Sequence, residues 1–97
     1  MPKVQVDKEL EEIMPTFLKN RANDITSLRN MLAENDLPGI KKLGHKVSGS
    51  SGGYGFKELG RIAKDLELSA ENGNNDKVAT LVDDFINYVE SIEVEYV

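Results

Sequence analysis

The chain holds a single histidine, His45, in the run Lys41-Lys42-Leu43-Gly44-His45-Lys46-Val47-Ser48-Gly49-Ser50-Ser51-Gly52-Gly53-Tyr54-Gly55. A neutral imidazole, with an ordinary pKa of about 6.5, keeps a nitrogen lone pair at neutral pH and can act as a nucleophile. Lysine ammonium groups nearby can offset the charge of a phosphoryl group, and the Ser48 hydroxyl can donate a hydrogen bond to it. Glycine inside a helix costs about 1 kcal/mol relative to alanine. Gly49 therefore serves something other than helix stability. Bare backbone beside a nucleophile suits a phosphorylatable histidine that another protein must approach closely.

That chemistry needs a helix with His45 turned outward, and the spacing of apolar residues predicts one. Counting about 100° per residue with Ile40 at zero, Leu43, Val47, Ser51 and Tyr54 fall within about 60° of it. His45 falls at about 140°, Lys41 at about 100°, Lys42 at about 200°, Ser48 at about 80°, Gly49 at about 180° and Gly52 at about 120°. His45 thus faces away from the predicted core, with Lys41 and Lys42 one turn before it and Ser48 and Gly49 one turn after.

The remaining elements read as helices. Asp7 caps a short first helix carrying Leu10, Ile13 and Met14. Pro15 fits the first turn of the next, where its missing N–H does no harm. That helix runs to about Glu34, with Phe17, Leu18, Ala22, Ile25, Leu28 and Leu32 on one face. Asn35-Asp36-Leu37-Pro38 makes a turn into the His45 helix, which Gly52-Gly53-Tyr54-Gly55 ends. Phe56, Leu59, Ile62, Ala63, Leu66 and Ala70 stripe a further helix, with Tyr54 and Phe56 as core or turn anchors. After the break Asn72-Gly73-Asn74-Asn75, a last helix carries Val78, Leu81, Val82, Phe85, Val89 and Ile92. Short connections favour antiparallel neighbours. The expected fold is all-α: an antiparallel up-down four-helix bundle with a short N-terminal helix. No strand is predicted, and Met1 to Val6 and Glu93 to Val97 are expected to be frayed.

Composition narrows the functional classes. The 97 residues suit one domain, 1–97, with its core over about 7–92. A formal net charge of −5 disfavours nucleic acid as a partner of the whole surface. There is no cysteine, hence no disulfide framework or thiolate chemistry. No run of about 18 apolar residues suggests a membrane span, and Met1 to Asp7 lacks the apolar centre of a signal peptide. A cytoplasmic monomer is the expectation. One histidine and scattered carboxylates make a poor metal site. Gly49 to Lys57 does not space its glycines and lysine as a phosphate-binding loop does, and it follows a helix rather than a strand. The Glu9-Glu11-Glu12 and Asp83-Asp84 clusters read as solvated helix faces.

The stretch from His45 to Gly55 resembles the signature of histidine-containing phosphotransfer (HPt) domains. That signature is a histidine, an apolar residue two on, a lysine three on, a glycine four on, then small residues and a later glycine. The resemblance extends to the predicted bundle. It implies that His45 takes a phosphoryl group from a receiver-domain aspartate and passes it on, in a phosphorelay that includes a hybrid histidine kinase. His45 matches the phosphorylated position, Val47 the buried one and Gly49 the clearance glycine; Lys41 and Gly52 would join the docking surface. The resemblance implies a phosphocarrier without a cofactor of its own, the receiver supplying Mg²⁺. Ser48 stands where the family usually has its lysine. Lys42, on the same face, is expected to replace that lysine in part, with Lys46 and Ser48 in support. Two other readings stand beside this one. One is a non-catalytic helical module that binds a receiver or other signalling protein. The other is the dimerising histidine helix pair of a sensor kinase, although His45-Lys46-Val47-Ser48 lacks the acidic residue and proline that usually follow such a histidine.

Overall fold

A computed structural model describes residues 3–97; Met1 and Pro2, part of the segment expected to be frayed, lie outside the described residues. Four helices make up most of the chain: α1 (Met14–Ala33), α2 (Leu37–Ser51), α3 (Lys57–Glu71) and α4 (Asn75–Ser91). Their starts follow from local chemistry. Asp36 caps α2 by accepting a hydrogen bond from the Gly39 N–H at 3.0 Å, and Asn74 caps α4 by accepting from the Lys77 N–H at 3.2 Å. Pro15 and Pro38 occupy first-turn positions. The turn after α2 is closed by Gly55 in the left-handed region at φ 89°, and the turn after α3 by Gly73 at φ 69°.

The core forms where the stripes meet. Met14, Leu28, Ile40, Val47, Phe56, Leu59, Leu66, Val78 and Phe85 are fully buried. Phe17 of α1 stacks on Phe56 with ring centroids 4.9 Å apart, joining α1 to the start of α3. The α1 stripe differs from the expected one at three positions. Ala22 is exposed, while Arg21 and Asp24 are buried and joined by an Nε–Oδ2 hydrogen bond of 2.8 Å. Pairing lets a charged couple enter a stripe from which either alone would be excluded.

The all-α expectation is corrected at both ends. The short N-terminal helix is a single 3-10 turn, Lys8–Leu10, capped by the Asp7 carboxylate. Before it, β1 (Lys3–Val6) pairs in parallel with β2 (Glu93–Tyr96), in the register Val4 with Val94 and Val6 with Tyr96. Val4 and Val6 are buried and alternate with exposed Lys3 and Gln5, the period-2 pattern of a half-buried strand. A parallel pair needs a long crossover, and here the whole helical region provides it. A Cβ on Gly55 would lie 3.1 Å from the Gln5 carbonyl oxygen, so the strand pair abuts the end of the α2–α3 turn. Among the described residues no helix is long and apolar enough to cross a membrane.

Candidate functional site

His45 projects from α2 as the sequence spacing predicts, with its side chain 75% exposed. It does not stand alone. Its Nδ1 lies 3.0 Å from Oε2 of Glu67 on α3. An ionised carboxylate only accepts hydrogen bonds, so in the neutral ring Nδ1 carries the proton and donates. The lone pair then falls on Nε2, the nitrogen pointing away from the partner. Glu67 is nearly buried, its side chain 11% exposed, and its other oxygen, Oε1, accepts from Lys64 Nζ at 3.2 Å.

The charge on Glu67 is maintained against its surroundings. Burial opposes ionisation, but hydrogen bonds from Lys64 and His45, with their charges, outweigh it and hold the carboxyl below its ordinary range. At neutral pH the group is therefore an anion fixed beneath the imidazole. One residue of α2 permits this closeness. A Cβ placed on Gly44 would sit 2.8 Å from the Ala63 carbonyl oxygen and 3.0 Å from the Glu67 backbone nitrogen. Only glycine lets the α2 backbone approach α3 so tightly beside His45.

The expected lysines do not gather around the ring. Lys41 leans toward α3, with Nζ 3.4 Å from Glu71 Oε1. Lys46 leans toward α1, with Nζ 3.7 Å from Asp24 Oδ1, and Asp24 is also the partner of Arg21. Lys42 is exposed and lines the groove between α1 and α2 with Asp24, Ser27 and Met31; it has no ion-pair partner among the described residues. The Ser48 hydroxyl donates to the His45 carbonyl oxygen at 3.0 Å, a bond within its own helix. Gly49, Gly52 and Gly53 are exposed, and a Cβ on any of them would meet nothing within 4 Å. Positions without a side chain thus lie one turn after His45 and again just past the end of α2. Among the described residues no group of three metal-ligating side chains converges.

Glu67, Lys64 and Gly44 are functional candidates that the sequence reading does not single out. Their signal is nonetheless present. Glu67 lies within the apolar stripe of Ala63, Leu66 and Ala70, where an unpaired carboxylate would be costly. Gly44 falls inside the Ile40, Leu43 and Val47 stripe, where a glycine marks close backbone approach.

Neither the curated proteins nor the solved structures include a match to this chain. The sequence profile of the family described as Hpt domain matches residues 12–95. That span contains all four helices, His45 and the carboxylate beneath it. The chain therefore belongs to the Hpt domain family, phosphocarrier modules with a phosphotransfer role in two-component signalling.

Proposed function

We propose that the chain is a phosphorelay intermediate, carrying a phosphoryl group on Nε2 of His45 between receiver-domain aspartates. The hydrogen bond from His45 Nδ1 to Glu67 beneath an exposed ring carries this reading. In the forward step the Nε2 lone pair attacks the phosphorus of a receiver phosphoaspartate. The N–P bond forms as the P–O bond breaks, and the electron pair leaves with the aspartate carboxylate. No proton has to move, because Nε2 carried none. The ring becomes an imidazolium with its positive charge facing Glu67. The Glu67 interaction therefore strengthens as charge develops, which favours the transition state over the ground state. The same step in reverse passes the group to a second receiver. The receiver supplies Mg²⁺ and much of the charge stabilisation.

The rest of the reading concerns access. The three residues Glu34–Asp36 between α1 and α2 support an up-down antiparallel arrangement of the four helices within one module. Gly49 and Gly52 leave room for the receiver's active site to descend on His45, with Lys41 at the edge of the docking surface. Of the α2 lysines, Lys42 has no ion-pair partner among the described residues, and it supports the incoming phosphoryl group from the α1 side of the helix. Lys46 and Ser48 start from bonds to Asp24 and to the His45 carbonyl, and so contribute less directly.

The test is incubation with a panel of phosphorylated receiver domains and a hybrid histidine kinase, followed by mass spectrometry under conditions that preserve phosphohistidine. The expected product is acid-labile, base-stable phosphate on His45, absent from His45→Gln. Label persisting in that variant overturns the reading. Binding of a receiver that survives His45→Gln, with no label from any donor, establishes the interaction-module alternative instead.

A further inference from the structure

We propose that Lys64 of α3 is the cation that engages the phosphoryl group once it is on His45, moving from Glu67 to a phosphoryl oxygen. This rests on the carrier reading and extends it to a residue on a different helix.

Each other cation flanking the site pairs with a carboxylate that the imidazole does not touch or, like Lys42, lies toward α1. Lys41 is bound to Glu71, Lys46 to Asp24, and Arg61 to Glu58 and Asp65. Lys42 lines the α1 side of α2. Among the described residues Lys64 alone shares a partner with the imidazole: its Nζ lies 3.2 Å from one oxygen of the Glu67 carboxylate, and His45 Nδ1 lies 3.0 Å from the other. Its side chain is 54% exposed, so its ammonium can leave Oε1 without uncovering apolar surface.

Charge supplies the motive. Before transfer, the Glu67 anion is balanced by Lys64. After transfer, the ring is cationic and bonded to Glu67, and a phosphoryl group with about two negative charges stands on Nε2. Glu67 then has a stronger partner in the ring, which stands between the carboxylate and the new dianion, and the Lys64 ammonium is no longer needed to balance Glu67. The released ammonium can swing to the dianion and make a charge-assisted hydrogen bond to it. Lysine suits this task, being a compact charge on a flexible stem with three rotatable donors.

The experiment compares transfer rates for the full chain, Lys64→Gln and Lys64→Arg, and repeats Lys64→Gln in a Glu67→Gln background. Two donors are used, a phosphorylated receiver and phosphoramidate. Lys64→Gln is expected to slow phosphorylation and shorten phosphohistidine lifetime about tenfold, the scale of one partly exposed charge-assisted bond. Lys64→Arg should restore most of the rate, and Lys64→Gln should still slow transfer when Glu67 is already Gln. The proposal falls if Lys64→Gln transfers at the unaltered rate or if Lys64→Arg fails to rescue. It also falls if the Glu67→Gln background abolishes the effect, since Lys64 would then act only by holding Glu67. A full chain that takes label from neither donor sinks the carrier reading and this proposal together.

Discussion

Gly44 and Gly49 lie on the same helix and on opposite sides of it. Gly44 is pressed against α3, where any side chain would strike the backbone of Ala63 and Glu67. Gly49 faces open space. Both carry the conformational cost of glycine in a helix, about 1 kcal/mol each. For Gly44 the fold itself returns that cost, as close helix contact and as the position of Glu67. For Gly49 nothing among the described residues does. The contrast separates a residue chosen by packing from one whose reason lies outside the molecule, and a partner seated over His45 is that reason under the carrier reading.

The largest effect should come from breaking the inward side. Gly44→Ala places a methyl group on backbone atoms that cannot rotate away, so α2 and α3 must separate. A stability loss of about 2 kcal/mol is expected, within the usual range for overpacking. Urea unfolding would measure it. Transfer should slow as well, because the separation pulls Glu67 from Nδ1. An unchanged urea midpoint would mean that α2 and α3 have room for a methyl group at Gly44.

The outward side should respond with the opposite sign. Gly49→Ala keeps helical backbone, meets no neighbour, and removes the entropic cost of glycine; a gain of about 0.5–1 kcal/mol in stability is expected. Gly49→Gln should also fold, yet slow transfer from a phosphorylated receiver, because the long side chain obstructs the approach to His45. A Gly49→Gln variant that transfers at the original rate removes Gly49 from the docking surface. A loss of stability in Gly49→Ala would remove the contrast with Gly44.

The same inward and outward division governs what the sequence reveals. Apolar stripes fix the four helices, since Ile62, Ala63, Leu66 and Ala70 or Val78, Leu81, Val82 and Phe85 repeat at helical spacing and are buried. The outward direction of His45 follows from the same count. The strands escape that count, because four residues at each end carry little pattern and their partner lies across the whole chain. Glu67 escapes it for another reason. A single sequence shows a carboxylate in an apolar stripe, but not that a histidine and a lysine from two helices meet there. Arg21 and Asp24 are the parallel case on α1. Polar residues enter the stripe where the bundle supplies their partners, and only the assembled fold identifies those partners.

The smallest expected effect tests whether the buried anion is held as the site requires. The Glu67 carboxyl lies below its ordinary value of 4.5, so between the two values the native state binds fewer protons than the unfolded chain. Its contribution to stability is therefore complete above about 4.5 and is lost as the pH falls through the native value. Glu67→Gln cannot titrate and lacks this component. The difference in urea midpoint between the original chain and Glu67→Gln should accordingly shrink from pH 7 to pH 3. Glu58, lowered by its bond to Arg61, is common to both proteins and drops out of the comparison. A difference that stays constant across that range would mean Glu67 is not held as an anion by His45 and Lys64. Without that anion nothing fixes the proton on Nδ1, and the lone pair would no longer be confined to the nitrogen that faces the receiver.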